Sequence, residues 1–328
     1  MSRRSPFWQP FSARTPLGYS VAGYFSTEPG SAYGTIRFTH VDGPLKRPYS
    51  SPPVPAPSAP ESLATLLEAA SGAGSSDVRA LERPDGTTVA FYPLYDADGG
   101  LVEVVPRTRD TVVIADTPWR PLAALVRAAR HAGMEEAVRR LRAILVFTLE
   151  GSDNARIARV SFPHRLTLTA ALPGTGRARA SYGQLQAWAD QYGLDLPATR
   201  HQFSGAPNSA EVRTALARPA GVLPAPGAWS GTGLLLAISS RGGSELVDLP
   251  ADWPAIGSES VGLIALWDAM ARVADRGEVP TWDRMAALLP VKSGDEGSRS
   301  TLSAPTQAWQ RWAVAYPEAF GAADQIAV

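Results

Sequence analysis

Apolar and polar positions alternate along much of the first half of the chain, and the spacing shifts toward a helical period in the second half. Two aromatic and β-branched arms, "LGYSVAGYF" and "AYGTIRFTH", flank the turn "STEPGS", which predicts a hairpin over 16–42. A meander is predicted over 77–106, as "DVRALER", turn "PDG", "TTVAFYPLY", turn "DADGG" and "LVEVVP". The runs "TVVIAD" at 111–116 and "ILVFTLE" at 144–150 read as strands. Between them lie two helices broken at Gly133. Leu122, Leu125, Val126 and Ala129 form the apolar stripe of the first, and Met134, Val138 and Leu141 that of the second.

Punctuation divides the chain. Residues 1–15 are expected to be a disordered tail, and the run 43–60, with seven prolines, an extended linker or strap. A core unit then spans 61–172, opening on a short helix with the stripe Leu63, Leu66 and Leu67. It is followed by a segment at 173–257 and a helical subdomain at 258–328 carrying Trp267, Trp282, Trp309 and Trp312. The predicted fold class is α+β: an antiparallel, β-rich N-terminal half with an inserted β-α-α-β unit. A helix-turn-helix-like or winged-helix segment follows, and then the small helical subdomain.

Composition narrows the chemistry. The 31 basic and 31 acidic residues cancel, which argues against a protein that coats nucleic acid non-specifically. Lys46 and Lys292 are the only lysines, so nearly every cation is arginine. With no cysteine, thiolate metal sites, disulfides and a cysteine nucleophile are excluded. No apolar run is long enough for a membrane span or a signal peptide, so a cytoplasmic protein without membrane attachment is expected.

The most specific local pattern lies at 181–203. Ser181 and Gln184 form a capping box, Leu185, Trp188, Ala189 and Tyr192 make one apolar stripe, and Gly193 suits a C-cap. Asp195 can cap a second helix starting at Leu196 and Pro197, with Phe203 returning to the core. This spacing resembles the helix-turn-helix motif: Ala189 stands four before Gly193, with Leu194 just after it and Phe203 ten after. Thr199 and Leu196 depart from the motif's usual residue types. The resemblance implies that Arg200, His201 and Gln202 face DNA bases or phosphates, with Arg177 and Arg179 holding the backbone. An ordinary helical hairpin accounts for the same letters. Arg127 and Arg130 on the earlier helix are further phosphate candidates.

No complete catalytic motif is present, and no cofactor or metal is called for. The four histidines are scattered, without metal-ligand spacing, and no serine lies in a nucleophile-elbow context. Among the acids, Asp96 and Asp98 could ligate a divalent cation or simply build a turn. Asp116 ends the run "TVVIAD" and could serve a site or cap the next helix, while Glu150 and Asp153 end the next strand region. The expectation from sequence is therefore a DNA-binding replication initiator or transcription regulator rather than an enzyme. The alternatives are a non-catalytic subunit of a nucleoprotein, phage-derived or secretion-type assembly, with a protein partner or its own copies, and a metal-dependent enzyme using Asp116.

Overall fold

The computed structural model describes residues 7–216 and 233–250, with gaps at 31, 59, 73–76, 85, 117–120, 152–162, 175–177, 206 and 241–242, together with Val273 and Arg284. The helical subdomain expected at 258–328 and the candidates Arg177 and Asp153 lie outside the described residues.

Three four-stranded antiparallel sheets and five helices make up the described fold, a β-rich α+β arrangement. The first sheet is formed by β1 (Trp8–Arg14), β2 (Ser20–Ser26), β3 (Ile36–Val41) and β4 (Pro44–Ser51), in that order. It corrects two expectations. Part of the predicted tail is a strand paired with β2 over its full length, and half of the Pro-rich strap is the edge strand β4. An edge position explains how β4 carries Pro44 and Pro48, since one side of such a strand owes no hydrogen bonds.

The chain then forms α1 (Leu63–Gly72), β5 (Asp77–Glu82), β6 (Gly86–Tyr95) and β7 (Leu101–Arg107). Next come α2 (Leu122–Ala129), α3 (Ala132–Leu141), β8 (Ile144–Glu150), β9 (Arg165–Leu172) and α4 (Tyr182–Tyr192). The described part closes with β10 (Thr199–Phe203), α5 (Ser209–Leu216), β11 (Gly233–Ser240) and β12 (Gly243–Pro250). The second sheet has the order β7-β6-β8-β9 and the third β10-β5-β11-β12.

The expected β-α-α-β unit does not form. Residues 111–116 join no sheet, although Val112 and Ile114 are buried, and β8 pairs antiparallel with both β6 and β9. The helix break falls at Arg130 and His131, both extended, rather than at Gly133. Gly133 lies inside α3 because a Cβ there would come within 2.1 Å of the Tyr192 carbonyl oxygen at the end of α4.

A central core is enclosed by all three sheets. Phe38 and Val21 enter it from the first sheet, Tyr92, Val105 and Val146 from the second, and Leu81, Leu235 and Leu246 from the third. Phe91, Leu145 and Phe147 face the opposite way, into a core roofed by α2, α3 and α4. Every residue of β8 is consequently buried, because its sheet is covered on both faces. The far face of the third sheet packs Val78, Ala80, Leu236 and Ile238 on Leu63 and Leu67 of α1 and Val212 of α5.

Arg107 ties the N-terminal sheet to this body. It is fully buried, donating from Nη1 to the Gly34 carbonyl (2.9 Å) and from Nη2 to the Pro52 carbonyl (2.6 Å). Burial pulls its pKa down to about 10, which leaves the guanidinium charged at neutral pH. No helix among the described residues is long and apolar enough to cross a membrane.

Candidate active site

Strand β5 ends in the third sheet at Glu82 and β6 begins in the second at Gly86, so Arg83 and Pro84 turn the chain from one sheet into the other. The "PDG" read as a hairpin turn is thus a corner between sheets, and Asp85 within it lies outside the described residues. Strand register brings distant residues to this corner. Glu82 stands opposite Leu234 of β11, and Gly86 opposite Glu150 of β8, which in turn faces Arg165 of β9.

Alternation along the strands places Glu150 and Thr148 on the same side of the second sheet as Val146, toward the central core. Asp248 likewise lies on the side of the third sheet that Leu246 occupies. The core between the two sheets therefore becomes polar at the corner, where Thr148, Glu150 and Thr167 are buried beside an exposed Thr88.

Three carboxylates here are each matched by a guanidinium. Arg83 Nε donates to Asp248 Oδ1 at 2.7 Å, with both side chains largely shielded. Arg165 Nη2 donates to Glu150 Oε2 at 3.1 Å, and Thr167 Oγ1 donates to the same oxygen. Arg200 pairs with Glu82. Gly151 follows Glu150 with φ near +140°, and a Cβ there would come within 1.9 Å of the Pro163 carbonyl oxygen, so only glycine lets β8 end so close to the approach to β9.

Lys46, the one lysine among the described residues, lies away from the corner on β4, paired with Asp98 at 2.6 Å. The corner's cations are all guanidiniums, which stay protonated and present fixed forks to phosphate or carboxylate oxygens. Such a set grips anions; it does not attack them.

The sequence-predicted residues scatter. Arg200 belongs to the corner, but in strand β10 rather than a recognition helix. His201 packs on Phe203 with ring centroids 4.5 Å apart, and Gln202 Nε2 donates to Asp77 at 3.4 Å. Arg179 Nη2 donates to the Ala56 carbonyl at 2.6 Å, and its Nη1 lies 3.5 Å from Glu245. This arginine lines a separate cavity of about 320 Å³ under the Pro-rich segment 52–56, and burial holds its pKa below the usual value. Arg127, in α2, and Arg130, its C-cap, line one other cavity.

The first half of the helix-turn-helix reading forms as expected: α4 has its capping box, and Gly193 is its left-handed C-cap. The second half is overturned. Asp195 caps nothing; its carbonyl accepts the Leu168 N–H at 2.8 Å, and the chain beyond Pro197 pairs with β5. With Arg200, His201 and Gln202 on an edge strand, no helix presents them to a DNA groove.

Asp116 accepts the Ala124 N–H at 3.0 Å and so caps α2, the structural alternative among its two readings. Asp96 accepts the N–H groups of Asp98 (2.9 Å) and Gly100 (2.7 Å) and builds a turn. Among the described residues no three acids or histidines gather as a metal site.

No family model matches the sequence, and no curated protein matches it. The fold does match solved structures. An archaeal ATP-dependent RNA ligase aligns over 94% of this chain and 74% of its own, with TM-score 0.52 and 14% identity. A second form aligns over 94% and 75%, with TM-score 0.51 and 13% identity. An RNA ligase of Naegleria gruberi, solved with AMP and Mn, aligns over 61% of this chain and 56% of its own at TM-score 0.46 and 12% identity, too distant to weigh. The chain therefore shares its overall fold with these archaeal ligase structures. This overturns the expectation of a helix-turn-helix or winged-helix DNA-binding regulator, its alternative as a non-catalytic assembly subunit, and the expectation that the chain is no enzyme.

Proposed function

We propose that the protein is an enzyme of the ATP-dependent ligase type acting on nucleic acid, with its site at the β5–β6 corner. The observation that carries this reading is the corner itself. In a fold aligned over 94% of the chain with an ATP-dependent RNA ligase, the junction of two sheets carries two ion pairs on its central-core side, Arg83–Asp248 and Arg165–Glu150, with Arg200–Glu82 at the end of β5.

Joining strand ends at the expense of ATP forms one phosphodiester bond and breaks one phosphoanhydride bond. Such transfers are governed by positioning and by stabilising charge on phosphate oxygens. Arg83, Arg165 and Arg200 supply that charge as forks suited to phosphate. ATP enters with a divalent cation, and a cation held mainly by phosphates needs only one or two protein carboxylates. Glu150 and Asp248 would supply those carboxylates.

The test is calorimetric titration of the purified chain with ATP and Mg²⁺, followed by joining assays on 5′-phosphorylated RNA and DNA ends. The expected result is ATP binding and a joined product that Arg83→Ala abolishes. Absence of both ATP binding and product would overturn the reading.

A further inference from the structure

We propose that a second, smaller cavity, between the end of β1, residues 113–116 and α2, holds the sugar–phosphate backbone of a nucleic-acid strand. It has a volume of about 240 Å³, and three arginines line it, Arg14, Arg127 and Arg130, against one acid, Asp116. The proposal rests on the nucleic-acid substrate proposed above but not on the chemistry of the corner.

The three cations are not equally committed. Arg130 is fixed: its Nη2 donates to the Val104 carbonyl at 3.0 Å, its Nε lies 3.0 Å from Glu135, and its guanidinium lies over the Phe91 ring. Arg127 is 63% exposed and reaches Asp116 only at 3.4 Å. That carboxylate accepts the Ala124 N–H through its other oxygen. Arg14 is exposed at the end of the edge strand β1. The cavity thus carries a surplus of positive charge, with two guanidiniums placed to turn toward an incoming anion.

Size and lining select the ligand. Pockets that enclose a whole small molecule run to roughly 300–1,000 Å³. This one is smaller and open on one side, which suits a single backbone unit of a chain that continues past it. Val113, Ile114, Ala123 and Val126 offer apolar walls for a pentose, and the arginines offer donors for its phosphate.

The test is fluorescence anisotropy of a labelled single-stranded oligoribonucleotide over a KCl series, without ATP. For the Arg14→Ala/Arg127→Ala double variant, affinity is expected to fall about tenfold or more, with the slope of log K against log salt shallower by about 0.7, the loss of one phosphate contact. Arg139→Ala, on the exposed side of α3, is expected to bind as the wild type does. Unchanged affinity and slope in the double variant, with the wild type still binding and joining strands, would overturn this site alone. No binding by the wild type would overturn it together with the nucleic-acid substrate. Competition by AMP at the oligonucleotide's own phosphate concentration that persists in Arg83→Ala, where the corner's nucleotide affinity is weakened, would also overturn it, because the cavity would then take a free nucleotide. Matching melting temperatures of wild type and double variant exclude misfolding as the cause.

Discussion

Arg83 and Asp248 lie 165 residues apart in the chain and meet as a 2.7 Å ion pair that closes the corner between the second and third sheets. With both side chains mostly shielded, the cost shows when one partner is removed and the other charge stays in a partly desolvated place. Asp248→Ala, which removes this carboxylate from Arg83, is expected to lower unfolding free energy by about 1–2 kcal/mol in urea titrations. Arg83→Ala is expected to weaken ATP binding about tenfold or more, the loss of one charge-assisted hydrogen bond to phosphate.

Glu150 is the most buried acid at the corner, held by Arg165 and Thr167. Glu150→Gln keeps the shape and removes the charge. It is expected to cost about 1–3 kcal/mol of stability, measured by chemical denaturation, and to depress strand joining more than ATP affinity.

Gly133 marks where α3 touches the end of α4. Gly133→Ala is expected to destabilise the fold by about 1–3 kcal/mol despite alanine's better helix propensity, because the new methyl group meets the Tyr192 carbonyl. Thermal denaturation reads this directly, and Gly183→Ala, where a methyl meets open space, is the control.

Lys46 holds the Asp98 carboxyl below its usual pKa through a hydrogen bond and its charge. A depressed carboxylate contributes stability that is complete above its unfolded pKa and is lost as pH falls through the folded one. Both groups are exposed, so the effect belongs to the titration rather than to overall stability. In an NMR pH titration, Lys46→Met is expected to return the Asp98 carboxyl to its ordinary range.

Local chemistry was legible and distant pairing was not. The capping box and Gly193 announce α4 because each signal acts within a few residues of itself. Residues 199–203 form a strand only because Val78 to Leu81 lie alongside them, a partnership no window of sequence contains. Glu150 stands out as a strand-end acid. Its neighbours Gly86 and Arg165 are set by strand register, and the meaning of "PDG" as a corner depends on two sheets built from far segments. The break at Arg130 and His131 was misplaced at Gly133 because a glycine needed for close packing resembles one needed for a turn.

Arg107 reaches from the middle of the chain to carbonyl groups of two N-terminal segments. A shortened protein beginning after the Pro-rich run would strip both acceptors from a buried cation and uncover the Tyr92 ring on which Phe38 stacks. The first fifty or so residues are therefore no dispensable appendage. Any expression fragment, fusion or transplant of the corner must carry them along.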